Sequence, residues 1–369
     1  MTTDLTIAPV SPTGEGEAEI LAERLFSSLL GTLDVLSVHI GDQFGLYELL
    51  HEDGPLSVAD VGQRSGMHPR YAREWLEQQA VAGLVDVEDA GAPAEERRYS
   101  VSDAHAAVLC DRESLLYTTP FARMLTAAAI QLPRLLEAYR TGGGVGWSDF
   151  GDLMRTAQAE ANRPLFLGVL GSEWLASLPG VDAALRNGGK VADIGCGDGW
   201  SSIGIARAYP EVTVDGYDVD GDSIKAARDH AASYGLGERV RFTRVDAASV
   251  PSAGDYDLVA AFECIHDLPD PVGVLRAARR MVRPGGTVLV MDERVPDDFT
   301  GPGDPVEQLM YGISMLICLP DGLSHPQSAG TGTVMRHDTL REYARDAGFV
   351  DVEVLPVQHE MFRFYRLVG

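Results

Sequence analysis

His266 stands in the run Glu263-Cys264-Ile265-His266-Asp267-Leu268-Pro269-Asp270, directly after the apolar stretch YDLVAAF. An imidazole ordinarily titrates near about pH 6.5, so it can take a proton at neutral pH. A carboxylate at Glu263 or Asp267 can orient the ring and raise its pKa. This is the equipment of a general base. The same residues also suit a histidine that caps a helix or walls a pocket.

A second cluster, Asp193-Ile194-Gly195-Cys196-Gly197-Asp198-Gly199, closes the β-rich run KVADI. Glycines between a strand and a helix let a ligand approach the backbone. The dinucleotide fingerprint Gly-x-Gly-x-x-Gly is not met, because Trp200 stands where its last glycine belongs. Asp193 and Asp198 flank the loop, and a pyrophosphate beside them would be repelled by about 4 kcal/mol per close charge pair. A ligand with cationic groups is favoured instead. S-adenosyl-L-methionine is one, since its sulfonium and ammonium outweigh its one carboxylate. Asp218 ends VTVDGYD, where a carboxylate can accept both ribose hydroxyls. Asp246 follows RVRFTRV, where one can accept from an adenine amino group. Turn glycines and helix-capping aspartates are the alternative reading.

These loops need a frame. From Lys190 onward the runs KVADI, VTVDGYD, RVRFTRV, YDLVAAF and TVLVMDE alternate with the helix-like WSSIGIARAY, DSIKAARDHAASYG and PVGVLRAARRMV. Such alternation predicts an α/β fold with a parallel, doubly wound sheet. Both loops then lie at the carboxyl ends of strands, where ligands bind. Arg283-Pro284-Gly285-Gly286 is expected as a turn before the fifth strand. Residues 296–336 read as a long, irregular Gly/Pro-rich segment suited to fold over a ligand. It carries Tyr311, His325 and Arg336, with Met310 and Met315 as lining. Trp147 and Phe150, after the glycine run TGGGVG, are candidates for the opposite wall. Asp292-Glu293 raises the question of a metal, but no Asp-Asn pair or His cluster completes a set, so none is expected.

In order, VADIGCGDG, the acidic end of VTVDGYD, VDAASVP, YDLVAAFECIHDLPD and VRPGG resemble the motifs of class I S-adenosylmethionine-dependent methyltransferases, over about residues 180–369. The resemblance implies a Rossmann-like seven-stranded sheet whose last strand, at 360–368, is antiparallel. It implies S-adenosyl-L-methionine as cofactor, with Asp193, Gly195 and Gly197 at its methionine part, Asp218 at the ribose, and Asp246 with Ala247 at the adenine. The whole chain also resembles the small-molecule O-methyltransferases of plants and bacteria that carry a helical, winged-helix-like dimerisation domain. In that subset a His-Asp-Trp sequence supplies the base; here Leu268 replaces the Trp. The implied activity is methyl transfer to a small molecule at oxygen, with carbon or nitrogen as alternatives. From the residues themselves, His266 with Glu263 and Asp267 is the candidate catalytic group, and Trp147, Tyr311 and His325 are the candidate substrate contacts.

The N-terminal part is expected to be an all-helical, winged-helix-like domain over 19–115, with VDVED and RRYSV as its one hairpin. A disordered tail (1–18) is expected before it, and a helical connector (116–180) leads to the cofactor domain at 181–369. Ile20, Leu21, Leu25, Leu29 and Leu33 form a helical stripe, continued by Val35, Leu36 and Ile40. Its length predicts a homodimer. Residues 1–120 hold 7 basic and 21 acidic side chains, which argues against HPRYAREWLEQQ reading DNA. A winged-helix regulator with S-adenosylmethionine as effector is the alternative from another class.

Composition agrees. The 369 residues carry 55 acidic and 30 basic side chains, a net charge of −25, which repels nucleic acid and anionic lipid. The four cysteines form no CxxC, so a reducing cytoplasm is expected. No run of about 18 apolar residues occurs, so no membrane span is expected.

Overall fold

Ser57 and Asp60 exchange hydrogen bonds across one helical turn, Ser57 N to Asp60 Oδ2 at 3.0 Å and Asp60 N to Ser57 Oγ at 3.2 Å. This reciprocal cap starts helix Val58–Ser65, and left-handed Gly66 ends it. Pro69 in the first turn then opens helix Pro69–Val81. The computed structural model describes residues 14–251 and 253–369. They fall into two compact units whose boundary in sequence is Cys110/Asp111.

In the first unit, strands β1 (Leu56–Ser57), β2 (Asp86–Glu88) and β3 (Arg98–Ser100) pair antiparallel in the order β1-β3-β2. The domain is therefore not all-helical. VDVED and RRYSV supply the wing, and β1 adds a third strand whose two residues are too few to show a period. Leu46, Leu50, Val61, Trp75, Leu76 and Tyr99 fill its core. Helix Gly14–Gln43 is tied to it by Trp75 Nε1, which donates to the Ser37 carbonyl at 2.9 Å. That helix leaves Ile20, Leu25, Phe26, Leu29 and Leu33 about half exposed. Residues 14–18 of the expected tail are its first residues; 1–13 lie outside the described residues.

The second unit is built on seven strands: β4 (Lys190–Ile194), β5 (Thr213–Asp218), β6 (Val240–Arg244), β7 (Tyr256–Phe262), β8 (Val282–Glu293), β9 (Asp351–Val354) and β10 (Phe362–Val368). Their order is β6-β5-β4-β7-β8-β10-β9. β4 to β8 run parallel, while β10 inserts antiparallel between β8 and β9. Successive side chains of a strand face opposite ways, so Val191 joins one apolar layer with Ile203, Val214 and Phe242, and Ala192 joins the other with Val259, Val274 and Leu340. The sheet is thus covered on both faces. The Arg283–Gly286 stretch is not a turn ahead of β8. It lies inside the strand as an irregularity, with Tyr256 opposite Val282 and Leu258 already opposite Thr287.

Residues 296–336 are less irregular than their glycines and prolines suggest. Asp304 caps helix Pro305–Ile313, which continues through a wider turn at Ser314–Cys318 into helix Leu319–Leu323. Helix Trp147–Leu165, broken in direction at left-handed Gly151, packs Phe150 and Met154 against Ile317 and Cys318. Phe150 is therefore a core residue.

Candidate functional site

The strand order reverses between β4 and β7, and the loops after these two strands meet there. Gly195, in the left-handed region (φ 67°), sits so close to the second loop that a Cβ on it would lie 2.8 Å from Cys264 Cβ and Sγ. Gly199 (φ 85°) is equally confined, by Phe242 and Ala227. Gly197 differs, because nothing lies within 4 Å of where its Cβ would be. A crevice at a topological switch point is where open α/β sheets bind ligands.

Carboxylates ring this crevice. Asp193 is 1% exposed. Its Oδ2 accepts from the Ser201 and Ser202 hydroxyls, each at 2.6 Å, and its Oδ1 has no partner. Burial pushes its pKa up to about 6 despite those donors. Asp218, at the end of β5, accepts from Gly197 N at 2.9 Å and Asp220 N at 2.8 Å, and burial raises its pKa too. Asp198 does not act as the sequence suggested. Arg155 Nη1 donates to both its oxygens, at 3.1 and 3.0 Å, so its charge is compensated and adds little to any repulsion. Asp246, after β6, is exposed and caps the short turn Ala247–Ser249 through Ala248 N at 2.9 Å, beside buried Ala247.

His266 is 3% exposed. Nδ1 lies 2.7 Å from Asp292 Oδ1 and 3.0 Å from Glu293 Oε2, while Nε2 lies 3.3 Å from Asp267 Oδ1. Burial disfavours the charged ring, but Asp267, Asp292 and Glu293 outweigh it and hold the pKa well above the ordinary value. Burial also raises Glu293, whereas the imidazolium and nearby donors hold Asp292 low in spite of burial. Glu263 is pushed up to about 8 by burial, and Asn162 hydrogen-bonds to it. Its backbone is left-handed at φ 52°, rare for a residue with a side chain, and fixed by Glu263 N donating to Met291 O at 2.8 Å.

The structure brings His266, Glu263 and Asp267 together, beside Asp193, Gly195, Gly197 and Asp218. Trp147 comes close from another direction, its amide donating to Asp321 Oδ1 at 2.7 Å. Tyr311 belongs to a separate group, taking a hydrogen bond from Arg336 Nη2 at 3.2 Å and meeting Phe299 edge-on. His325 is exposed, with its amide on Gly322 O. Among the described residues no hydrogen bond or ring contact joins Tyr311 or His325 to His266. Met310 is buried and Met315 half-exposed.

Sequence reasoning missed Asp292 and Glu293 as partners of the imidazole and weighed them only for a metal. Their position at the carboxyl end of a strand was the available signal. Arg155, Asn162 and Asp321 lie on segments with no local motif to mark them.

A methyltransferase-domain profile matches residues 191–286, and an Rv2258c-like winged HTH domain profile matches residues 32–111. The chain is 31% identical over 165 residues to 27-O-demethylrifamycin SV methyltransferase of Amycolatopsis mediterranei, covering 44% of this chain and 60% of that protein. It is 37% identical over 117 residues to the ubiquinone biosynthesis O-methyltransferase of Bordetella avium, covering 32% and 46%. The matches thus span about half the length of these relatives. In fold it is similar to mitomycin 7-O-methyltransferase (TM-score 0.70, 19% identity, 96% of this chain and 99% of that one). It is also similar to human N-acetylserotonin methyltransferase (TM-score 0.66, 19% identity, 98% and 100%). Residues 191–286 of this chain are a methyltransferase domain, and residues 32–111 are a winged helix-turn-helix domain.

Proposed function

We propose that the chain transfers a methyl group from S-adenosylmethionine to a small molecule at oxygen, as a cytoplasmic homodimer. The observation that supports this best is the buried His266–Asp292 pair standing one loop away from an open glycine turn. The residues suit the cofactor on two counts. The space over Gly197 lets a ligand reach the backbone, and Asp193 Oδ1 is a buried acceptor still without a donor. Asp193, Gly195 and Gly197 would hold the methionine part, Asp218 the ribose, and Asp246 with Ala247 the adenine. The cofactor, when bound, supplies an electrophilic methyl group.

The rest is done by this chain. Asp292 keeps the proton on Nδ1 and fixes the ring plane, which directs Nε2 towards the acceptor hydroxyl. Asp267, 3.3 Å from Nε2, favours a proton on that nitrogen, so the ring must first give it up to solvent before Nε2 can accept from the hydroxyl. Nε2 then takes the hydroxyl proton as the new bond forms. Trp147 is assigned to the acceptor wall, with Tyr311 and His325 as further substrate contacts on the neighbouring segment.

The half-exposed apolar face of helix Gly14–Gln43 supports the homodimer. The free cysteines suit a reducing compartment. No single helix among the described residues is long and apolar enough to cross a membrane. A DNA-reading role is disfavoured because Arg70 and Arg73 of helix Pro69–Val81 are paired with Glu74 and Glu77, and Trp75 and Leu76 are buried.

Calorimetry tests the assignment. One S-adenosylmethionine should bind per chain, and Asp218→Ala should weaken it roughly 10- to 150-fold, the worth of a hydrogen bond to a charged group. No binding by the parent chain, or equal binding by the variant, would end it.

A further inference from the structure

The glycine run before Trp147 is clasped onto the segment after Cys318. Val145 N donates to Pro320 O at 2.9 Å, and Trp147 N to Asp321 Oδ1 at 2.7 Å. Gly144 lies so near that a Cβ there would overlap the Pro320 oxygen and the Ser324 nitrogen. The same short helix, Leu319–Leu323, reaches the catalytic loop. A Cβ on Gly322 would be 3.6 Å from the Asp267 carbonyl oxygen, and the flanking segments add to this, Ala329 N donating to Pro269 O at 2.9 Å and Cys318 hydrogen-bonding to the Asp267 carboxylate.

Asp321 thus bridges two parts of the chain that are 174 residues apart. The helix whose first amide it holds, Trp147–Leu165, carries Arg155 to the cofactor loop and Asn162 to Glu263. Asp149 already caps that helix through Gly146 N at 3.1 Å, and Arg134 neutralises Asp149. Among the described residues no cation pairs with Asp321.

We propose that Asp321 is a positioning residue that clasps Trp147 and the glycine run against helix Leu319–Leu323, setting the acceptor wall beside the His266–Asp267 loop. This rests on the reading of that side as the acceptor site.

The charge on Asp321 makes the clasp sensitive to pH. Burial, then Asp267 and Asp149, raise its pKa to about 7. An opened clasp returns the carboxyl to water and to an ordinary pKa of about 4. The closed form therefore holds the proton more tightly, so the clasp is firmest below about pH 4, loosens as pH rises from there to about 7, and changes no further above it. Asp149 and Arg134 are already paired, and Asp267 is close to His266, so Asp321 is the group left to set this dependence.

Hydrogen exchange of the full chain, without any ligand, tests the proposal. Asp321→Ala should speed exchange in 142–149 about 10-fold, the loss of roughly one hydrogen bond, and leave 193–200 unchanged. Asp321→Asn still accepts from Trp147 N. It should keep the parent's low-pH protection and remove the loosening between about pH 4 and pH 7. Unchanged exchange in the Ala variant, equal acceleration of 193–200, or an Asn variant with the parent's pH dependence would each overturn it. S-adenosylmethionine calorimetry on the same proteins reports on the methyltransferase reading separately. Binding there with no change at 142–149 removes the clasp alone.

Discussion

Nδ1 of His266 lies 2.7 Å from Oδ1 of Asp292, and neither side chain is more than 3% exposed. A ring fixed this way has one nitrogen committed and one to offer. Its cost is that the surrounding carboxylates favour the imidazolium, which cannot accept a proton.

The base reading therefore carries a pH signature. Turnover should rise with pH along a limb whose midpoint lies above the ordinary histidine value. Asp292→Asn removes one stabilising charge and should move the limb towards lower pH while lowering the maximal rate. His266→Ala should cut turnover by about 10²- to 10⁴-fold with cofactor affinity nearly unchanged. Steady-state rates across pH check all three. A His266→Ala loss under about 10-fold, roughly 1.4 kcal/mol, would make His266 a pocket wall and favour an acceptor at carbon or nitrogen.

The two loop glycines should separate folding from binding. Gly195→Ala meets Cys264 and a positive φ together, so it should lower the melting temperature and abolish binding. Gly197→Ala faces open space and should cost only about 1 kcal/mol for its backbone conformation, yet still block the cofactor. Thermal melts with and without S-adenosylmethionine read both. A Gly197→Ala protein still stabilised by the ligand would place the cofactor elsewhere.

Asp193 should be a stability liability in the empty protein. Its folded pKa, about 6, exceeds the ordinary carboxyl value. The stability it favours is present below about pH 4 and is lost as pH rises through 6. Asp193→Asn should thus be more stable than the parent above pH 6, by on the order of 2–3 kcal/mol, while binding S-adenosylmethionine more weakly. Denaturant melts at pH 5 and pH 8 would refute this if the difference did not grow with pH.

The dimer prediction concerns Leu25 and Leu29, exposed by 57% and 52% on helix Gly14–Gln43. Changing both to Glu should give a monomer at micromolar concentration in sedimentation, with the parent a dimer. A monomeric parent would count against this face as an interface.

What could be read in advance was local. KVADI and YDLVAAF coincide with β4 and β7, and the two functional loops follow them. Each signal is a periodic apolar run followed by a turn, contained within about ten residues. What stayed hidden depends on tertiary pairing. Asp292 is 26 residues from His266 and Arg155 is 43 from Asp198, and no local pattern records such distances. The helix at Pro305–Ile313 was concealed differently: Asp304 and Pro305 are start signals, but the surrounding glycines and prolines read as loop.

The position of β10 has a consequence for how activity arises during synthesis. β9 leaves the ribosome before β10, its one partner among the described residues, has been made, since β10 follows it in the chain yet lies between it and β8. The residues of β10 opposite the end of β8 are Phe362, facing Glu293, and Arg363, facing Asp292. The stretch of backbone that aims the imidazole's carboxylate partners is therefore left open on one side until β10 docks. A nascent chain halted before residue 360 would already hold the glycine loop and its strand ends but not a braced His266. Cofactor capture should thus precede catalytic competence on the ribosome, an order that stalled chains of increasing length would reveal.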